Sequence, residues 1–178
     1  MKIVWVTNDI WYSKLLRFLF NEDSSHVGTV FNFDGLDLAV DINKPYGSLY
    51  SLKYWLNKYR IVEQVELTLP HDQEIQLLKI VADYSVMRPY DMGGYYYGMV
   101  WGLLHKLFKL PLPEINKGSD GTGVMCQEII IPILKSQIVQ ATGIINGIFD
   151  FANMSPSMTR DYFKKITLNN PFWKWSKP

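Results

Sequence analysis

At 178 residues the chain is one domain's worth, long enough to bury a core, and its composition of 48% apolar and 15% aromatic residues excludes a disordered chain. A formal net charge of +1 without a long Lys/Arg run leaves no electrostatic footprint for nucleic acid. The single cysteine, Cys126, excludes an intramolecular disulfide and a Cys-rich structural zinc site, and suits a reducing compartment.

In chain order, "KIVWV" (2–6) reads as a short buried strand and "DIWYSKLLRFLF" (9–20) as a helix with Asp9 as N-cap. Asp9, Lys14 and Arg17 interrupt this apolar stretch, so no signal peptide is expected and the location is read as cytoplasmic. "HVGTVFN" and "LDLAVDI" flank "NFDG", whose Asp34-Gly35 pair signals a hairpin turn. "SLYSLKYWLNKY" (48–59) has helical spacing, "RIVEQVELTL" (60–69) alternates as a half-exposed strand, and "HDQEIQLLKIVADYSVM" (71–87) resumes helical spacing before Pro89.

"MGGYYYGMVWGLLHKLFKL" (92–110) falls short of the roughly 20 apolar residues of a spanning helix, so it reads as a buried or interfacial helix. "KLPLPEINKGSDGTG" (109–123) reads as a long loop. The tail "NNPFWKWSKP" reads as extended, either packing its tryptophans on the body or offering them to a partner. Strands bunched early and helices thereafter indicate α+β, as a single domain over 1–178 with a Trp-rich tail from 167.

Hairpin geometry relates His26 to Asp41. With all of "NFDG" as the loop, Phe31 faces Leu36 and His26 directly faces Asp41; with Asp34-Gly35 alone, Asp41 lies diagonal to His26 on the same face. Directly opposed Cβ atoms sit about 4.5–5.5 Å apart and diagonal ones somewhat farther, both within reach of an imidazole–carboxylate hydrogen bond. Only an odd-length loop or a bulge sends the two to opposite faces. A carboxylate beside a histidine orients the ring and stabilises the imidazolium, which is the base-and-orienter half of a triad.

Cys126 is the candidate nucleophile. It follows "GSDGTG" at an expected helix start, where the dipole and free backbone N–H groups favour a thiolate and an oxyanion. The bland reading of the same residues is a small buried thiol, a strand-edge histidine and a turn-facing carboxylate.

"YSKLLRFLFNEDSSHVGTVF" resembles the opening of circularly permuted papain-like cysteine hydrolases of the NlpC-related, YiiX-like branch. In that family a "S-x-L-I-x-x-x-T…S-H-V-x-I-V" pattern carries the catalytic histidine. "LAVDI" stands where the family's strand ends in a polar triad residue, "MRPYDM" (87–92) resembles its "G-x-x-Y-D-F", and "VMCQEIIIPIL" resembles its "x-x-C-S-E-L-V" nucleophile helix. "MSPSMTRDYF" (154–163) is similar to a closing "x-x-P-x-D-L" element, so the resemblance runs from about residue 9 to 163.

The resemblance implies a permuted papain-like fold, an antiparallel sheet packed with helices. It implies Cys126 as nucleophile, His26 as base and Asp41 as orienter, with Tyr90, Asp91 and Gln127 at the substrate, and no cofactor or metal. The expected activity is a hydrolase or acyltransferase acting on an amide, thioester or ester bond of a peptide, a peptidoglycan fragment or a lipid acyl substrate. The alternative is a catalytically inactive papain-like domain that serves as a binding or interaction module.

The chain departs from the pattern at Gln127, where the family has Ser, at Asp41, where Glu or His is commoner, and at Pro132, which must kink or shorten the helix. The run Ile129-Ile130-Ile131 leaves a strand open instead. Tyr90 and Asp91 could equally be a turn and a helix N-cap. His71 and His105 have no carboxylate placed opposite them by pattern and read as structural or solvent-facing. Tyr95, Tyr96, Tyr97 and Trp101 read as core, with an acyl pocket or peripheral membrane contact as the other reading. Oligomeric state is left open.

Overall fold

The computed structural model describes residues 1–43, 45–111, 123–143 and 155–178. Its centre is a six-stranded sheet in which every neighbouring pair is antiparallel. The strands are β1 (Lys2–Thr7), β2 (His26–Phe33), β3 (Leu36–Ile42), β4 (Gly47–Ser51), β5 (Arg60–Leu67) and β6 (Trp173–Ser176), in the order β4-β3-β2-β1-β5-β6. Among the described residues seven α-helices accompany it: α1 (Trp11–Phe20), α2 (Leu52–Leu56), α3 (His71–Ser85), α4 (Met92–Phe108), α5 (Ile130–Lys135), α6 (Gln137–Gln140) and α7 (Pro156–Thr167). The architecture is α+β.

Strand alternation divides the core between the two faces of the sheet. Ile3 and Trp5 of β1 join Val27, Phe31, Val40, Ile42, Leu77 and Phe163 in the larger core, while Val4 and Val6 join Val30, Ala39, Trp55 and Tyr59 in a smaller one. The central strand is therefore buried on both faces, which explains its continuous apolar sequence.

The hairpin turn is the two-residue one. Asp34 (φ 50°) and Gly35 (φ 83°) both take the left-handed conformation of a type I′ turn, Phe33 faces Leu36, and Gly28 faces Asp41. His26 and Asp41 are thus diagonal neighbours on the face of the smaller core.

Two local expectations are corrected, and the two readings of the tail are resolved in favour of packing on the body. The segment expected as a helix from Ser48 begins as β4, whose Ser48 pairs with Asp41; the helix α2 starts only after Ser51, whose hydroxyl accepts the Tyr54 N–H (3.4 Å). Asp9 does not cap α1: Ile10 holds the N-cap position, Asn8 accepts the Ile10 N–H (3.3 Å), and Asp9 pairs with Arg60 at the surface (3.3 Å). The tail is the sixth strand, with Trp173 buried and Trp175 stacked on Trp5 (centroids 5.3 Å). The loop expected over 109–123 lies, apart from its ends, outside the described residues.

Gly47 ties β4 to the end of α3. Its N–H donates to Arg88 O and its carbonyl accepts from Met87 N–H, both at 3.0 Å, so the chains approach until a Cβ on Gly47 would lie 1.9 Å from the Ser85 carbonyl oxygen. Backbone cannot yield to that clash as a flexible side chain would. Gly47→Ala is expected to destabilise the fold by about 3 kcal/mol, read as a lower urea midpoint.

Candidate functional site

His26 is the first residue of β2 and is buried, as is Asp41 on β3. The His26 Nε2–H donates to Asp41 Oδ1, and the Trp55 indole N–H donates to Asp41 Oδ2 at 2.9 Å. An uncompensated carboxylate at this depth costs several kcal/mol, so Asp41 is tolerated because both of its oxygens are answered. The Tyr59 ring stacks on His26 (centroids 5.1 Å, 8° between planes), and Asn43 donates to the Tyr59 hydroxyl. The imidazole is thereby held in plane by one neighbour and in tautomer by another.

Burial opposes a charge on His26, but Asp41, by its charge and its hydrogen bond, with Cys126 beside it, outweighs that, and the imidazolium is held well above its usual 6.5. The same comparison of states sets a stability window. Because the folded value is the higher one, the stabilisation from His26 is fully present below pH 6.5 and is lost as pH rises through that raised value. Burial pushes the Tyr59 phenol up to about 12, so it is neutral in the working range.

Cys126 opens a 3-10 turn, Cys126–Ile129, that leads into α5, so the segment is helical and not a strand. Pro132 falls in the first turn of α5, where an N–H has no intrahelical acceptor, and α5 ends at Lys135. A four-residue turn followed by a six-residue helix supplies less dipole than one long helix would, so local N–H groups are what Cys126 has beside it. The turn packs against β2 and β3, the strands that carry His26 and Asp41. Ile129 and Ile130 anchor it in the larger core.

The Cys126 thiol donates to Gln127 Oε1 (3.4 Å), and Gln127 Nε2 donates to Met125 Sδ (3.6 Å). Tyr90 bridges to Val124: Asp91 N–H donates to Val124 O (3.1 Å) and Val124 N–H to Pro89 O (3.0 Å), which fixes the approach to Cys126. Burial first, then Cys126 and Tyr95, raise the Tyr90 phenol well above 10. Asp91 is the N-cap of α4, accepting from Gly94 N–H at 2.7 Å. Of the six site residues read from the sequence, His26 and Asp41 are in direct contact, Cys126 and Tyr90 share their electrostatic environment, Gln127 contacts Cys126, and Asp91 caps a helix.

Pattern reading missed Trp55 and Tyr59. They lie four apart in "WLNKY", Trp55 in α2 and Tyr59 just beyond its end, and only the fold shows that they cover Asp41 and His26. His71 does have a carboxylate, Asp34 at 3.0 Å, though both are exposed; His105 Nδ1–H donates to Leu110 O at 2.7 Å.

His26 opens on a cavity of about 30 Å³, room for a single water, whose walls include Tyr12 and Ser13 of α1, Ser25, Tyr90 and Tyr95. A surface groove of about 580 Å³ shares Asn8, Tyr12, Asn43 and Tyr59 with that cavity and continues past Ile10 and Lys58.

No protein-family profile and no curated protein matches the chain. Among solved structures, the crystal structure of the metalloprotein yiiX from Escherichia coli O157:H7 matches with a TM-score of 0.50 at 16% identity, covering 99% of this chain and 96% of that one. The likeness is one of fold. Among the described residues of this chain no group of three or more His, Cys, Asp or Glu side chains is placed to share a metal ion. His26 Nε2 and both Asp41 oxygens are already engaged with each other and with Trp55.

Trp55→Phe keeps the ring's bulk and removes the donor, leaving one oxygen of buried Asp41 unanswered. The expected cost is about 1–3 kcal/mol by chemical denaturation.

Proposed function

We propose that the chain is a cysteine hydrolase or acyltransferase of circularly permuted papain-like type, acting on an amide, thioester or ester bond. The observation that carries this reading is the buried His26–Asp41 hydrogen bond, with the Cys126 turn packed on the two strands that hold it. The order of the polar residues along the chain and the fold likeness to yiiX support it.

With Nε2–H committed to Asp41, Nδ1 is the ring nitrogen left to accept the Cys126 thiol proton. The sulfur then attacks the acyl carbon, and N–H groups at the start of the 3-10 turn face the developing oxyanion. The imidazolium returns its proton to the leaving amine, alcohol or thiol as the tetrahedral intermediate collapses to a thioester. Water, or the hydroxyl or amine of an acceptor, attacks that thioester while His26 takes its proton, and the released thiol regains it. Asp41 keeps the imidazolium favourable throughout and does not itself become protonated.

One observation favours the second reading, an inactive domain retained for binding. The thiol donates to Gln127, and Cys126 is not among the residues that line the cavity on which His26 opens.

Acyl-type activity probes with amide, ester and thioester leaving groups, applied to wild type and Cys126→Ala in parallel, separate the two readings. The hydrolase reading requires labelling that Cys126→Ala abolishes. It also requires alkylation by iodoacetamide below about pH 8 that His26→Ala removes. Asp41→Asn takes away the charge that strengthens His26 as proton acceptor, so less thiolate forms at neutral pH and alkylation slows by about tenfold for each unit His26 loses. No labelling, with slow alkylation indifferent to His26, leaves the inactive domain standing.

A further inference from the structure

A helix on the outside of a protein buries one apolar stripe and shows water a polar one, whereas a helix apolar all round belongs inside something. α4 is of the second kind and yet lies at the surface. Its inner side packs on α1 so closely that a Cβ on Gly102 would come within 2.7 Å of the Phe20 ring. Its outer side is a single stripe of Tyr96, Val100, Leu103 and Leu107, spaced four, three and four residues apart, with Val100 56% and Leu107 62% exposed.

α1 adds Trp11 (71% exposed) and Phe18 (62%). The two stripes meet where Lys106 of α4 lies over the Phe18 ring, 3.3 Å from its centroid, and donates to the Phe18 carbonyl.

Charge identifies the occupant. Residues 11–20 and 92–110 contain Lys14, Arg17, Lys106 and Lys109 and no Asp or Glu, although acids and bases nearly balance over the whole chain. Lys14 lies between Trp11 and Phe18 on the exposed side of α1, and Lys109 is exposed just past the end of α4. An apolar stripe with aromatic residues, on two helices whose only charged side chains are cationic, is complementary to an anionic bilayer surface, into which the apolar side chains insert while the lysines meet headgroups. At 17 residues α4 is too short to span, and no helix among the described residues is long and apolar enough to cross a membrane.

We infer that the joined outer faces of α1 and α4 are a docking surface for an anionic lipid membrane. α1 has two roles in this arrangement, since Tyr12, Ser13 and Leu16 wall the His26 cavity while Trp11 and Phe18 face outward. A docked bilayer therefore lies beside the groove at Ile10 and Tyr12, which makes a lipid-borne acyl ester or amide the substrate class; this last step rests on the hydrolase reading.

Co-sedimentation of the full chain with vesicles tests the docking itself. The chain should bind phosphatidylcholine–phosphatidylserine vesicles, at about 2:1, at least about tenfold more tightly than phosphatidylcholine alone, and about 0.5 M salt should erase most of that preference. Val100→Glu with Leu107→Glu should abolish binding without moving the thermal transition, and Lys14→Glu with Lys109→Glu, both at exposed positions, should remove the preference for phosphatidylserine. Cys126→Ala should bind as wild type does, so a failed catalytic reading leaves this result untouched. The inference is overturned by absence of binding, by equal binding to neutral vesicles, by binding that survives the Glu pair, or by a wild-type dimer that the Glu pair converts to monomer.

Discussion

A buried carboxylate needs partners, and at Asp41 the whole arrangement of the site follows from supplying them. The left-handed conformations at Asp34 and Gly35 set a two-residue turn, and that turn sets the register in which Asp41 faces Gly28 and reaches His26 diagonally. A slip of one residue would turn one of the two partners to the opposite face. Trp55 can answer the second oxygen because Gly28 has no side chain in its way: a Cβ there would stand 2.7 Å from the indole ring. The turn, the glycine and the tryptophan act as one device that keeps a charge inside the sheet.

Placing His26 at the start of β2 lets elements from several parts of the chain converge on it. Tyr59 reaches it from the side of the smaller core, α1 from across the cavity, and the Cys126 turn packs against the same strands while its isoleucines root in the larger core. Burial would normally strip the proton from an imidazole, and the neighbouring groups reverse that preference. A histidine kept in one tautomer and biased toward its charged form can accept a proton from a thiol, which is the basis of the hydrolase reading.

What the sequence disclosed was local or periodic. The hairpin was readable because Asp34-Gly35 is a turn signal with a steric cause, and α4 because its spacing is long and uninterrupted. The stretch from Ser48 was misread because "SLYSLKYWL" satisfies both periods, and pairing with β3 decides for strand at its start. Asp9 carried an ordinary cap signature, but Asn8 accepts the Ile10 N–H and Asp9 turns to Arg60. Trp55, Tyr59 and the Asp34–His71 pair could not be placed from spacing, since their partners lie 14 to 37 residues away and meet only through the folded sheet. Of the outer stripe of α4 only Tyr96 was singled out, as core with its neighbours, and the helix was left as buried or interfacial, because nothing local distinguishes a face buried in protein from one left to another medium.

The central claim is that Asp41 and Cys126 bias a buried His26 toward its protonated form, and an NMR titration of the His26 imidazole reads that directly. The account predicts an imidazole that remains protonated well past pH 6.5 in the wild type and gives up its proton at lower pH in Cys126→Ala. A His26 that titrates at or below 6.5, indifferent to Cys126, would contradict it.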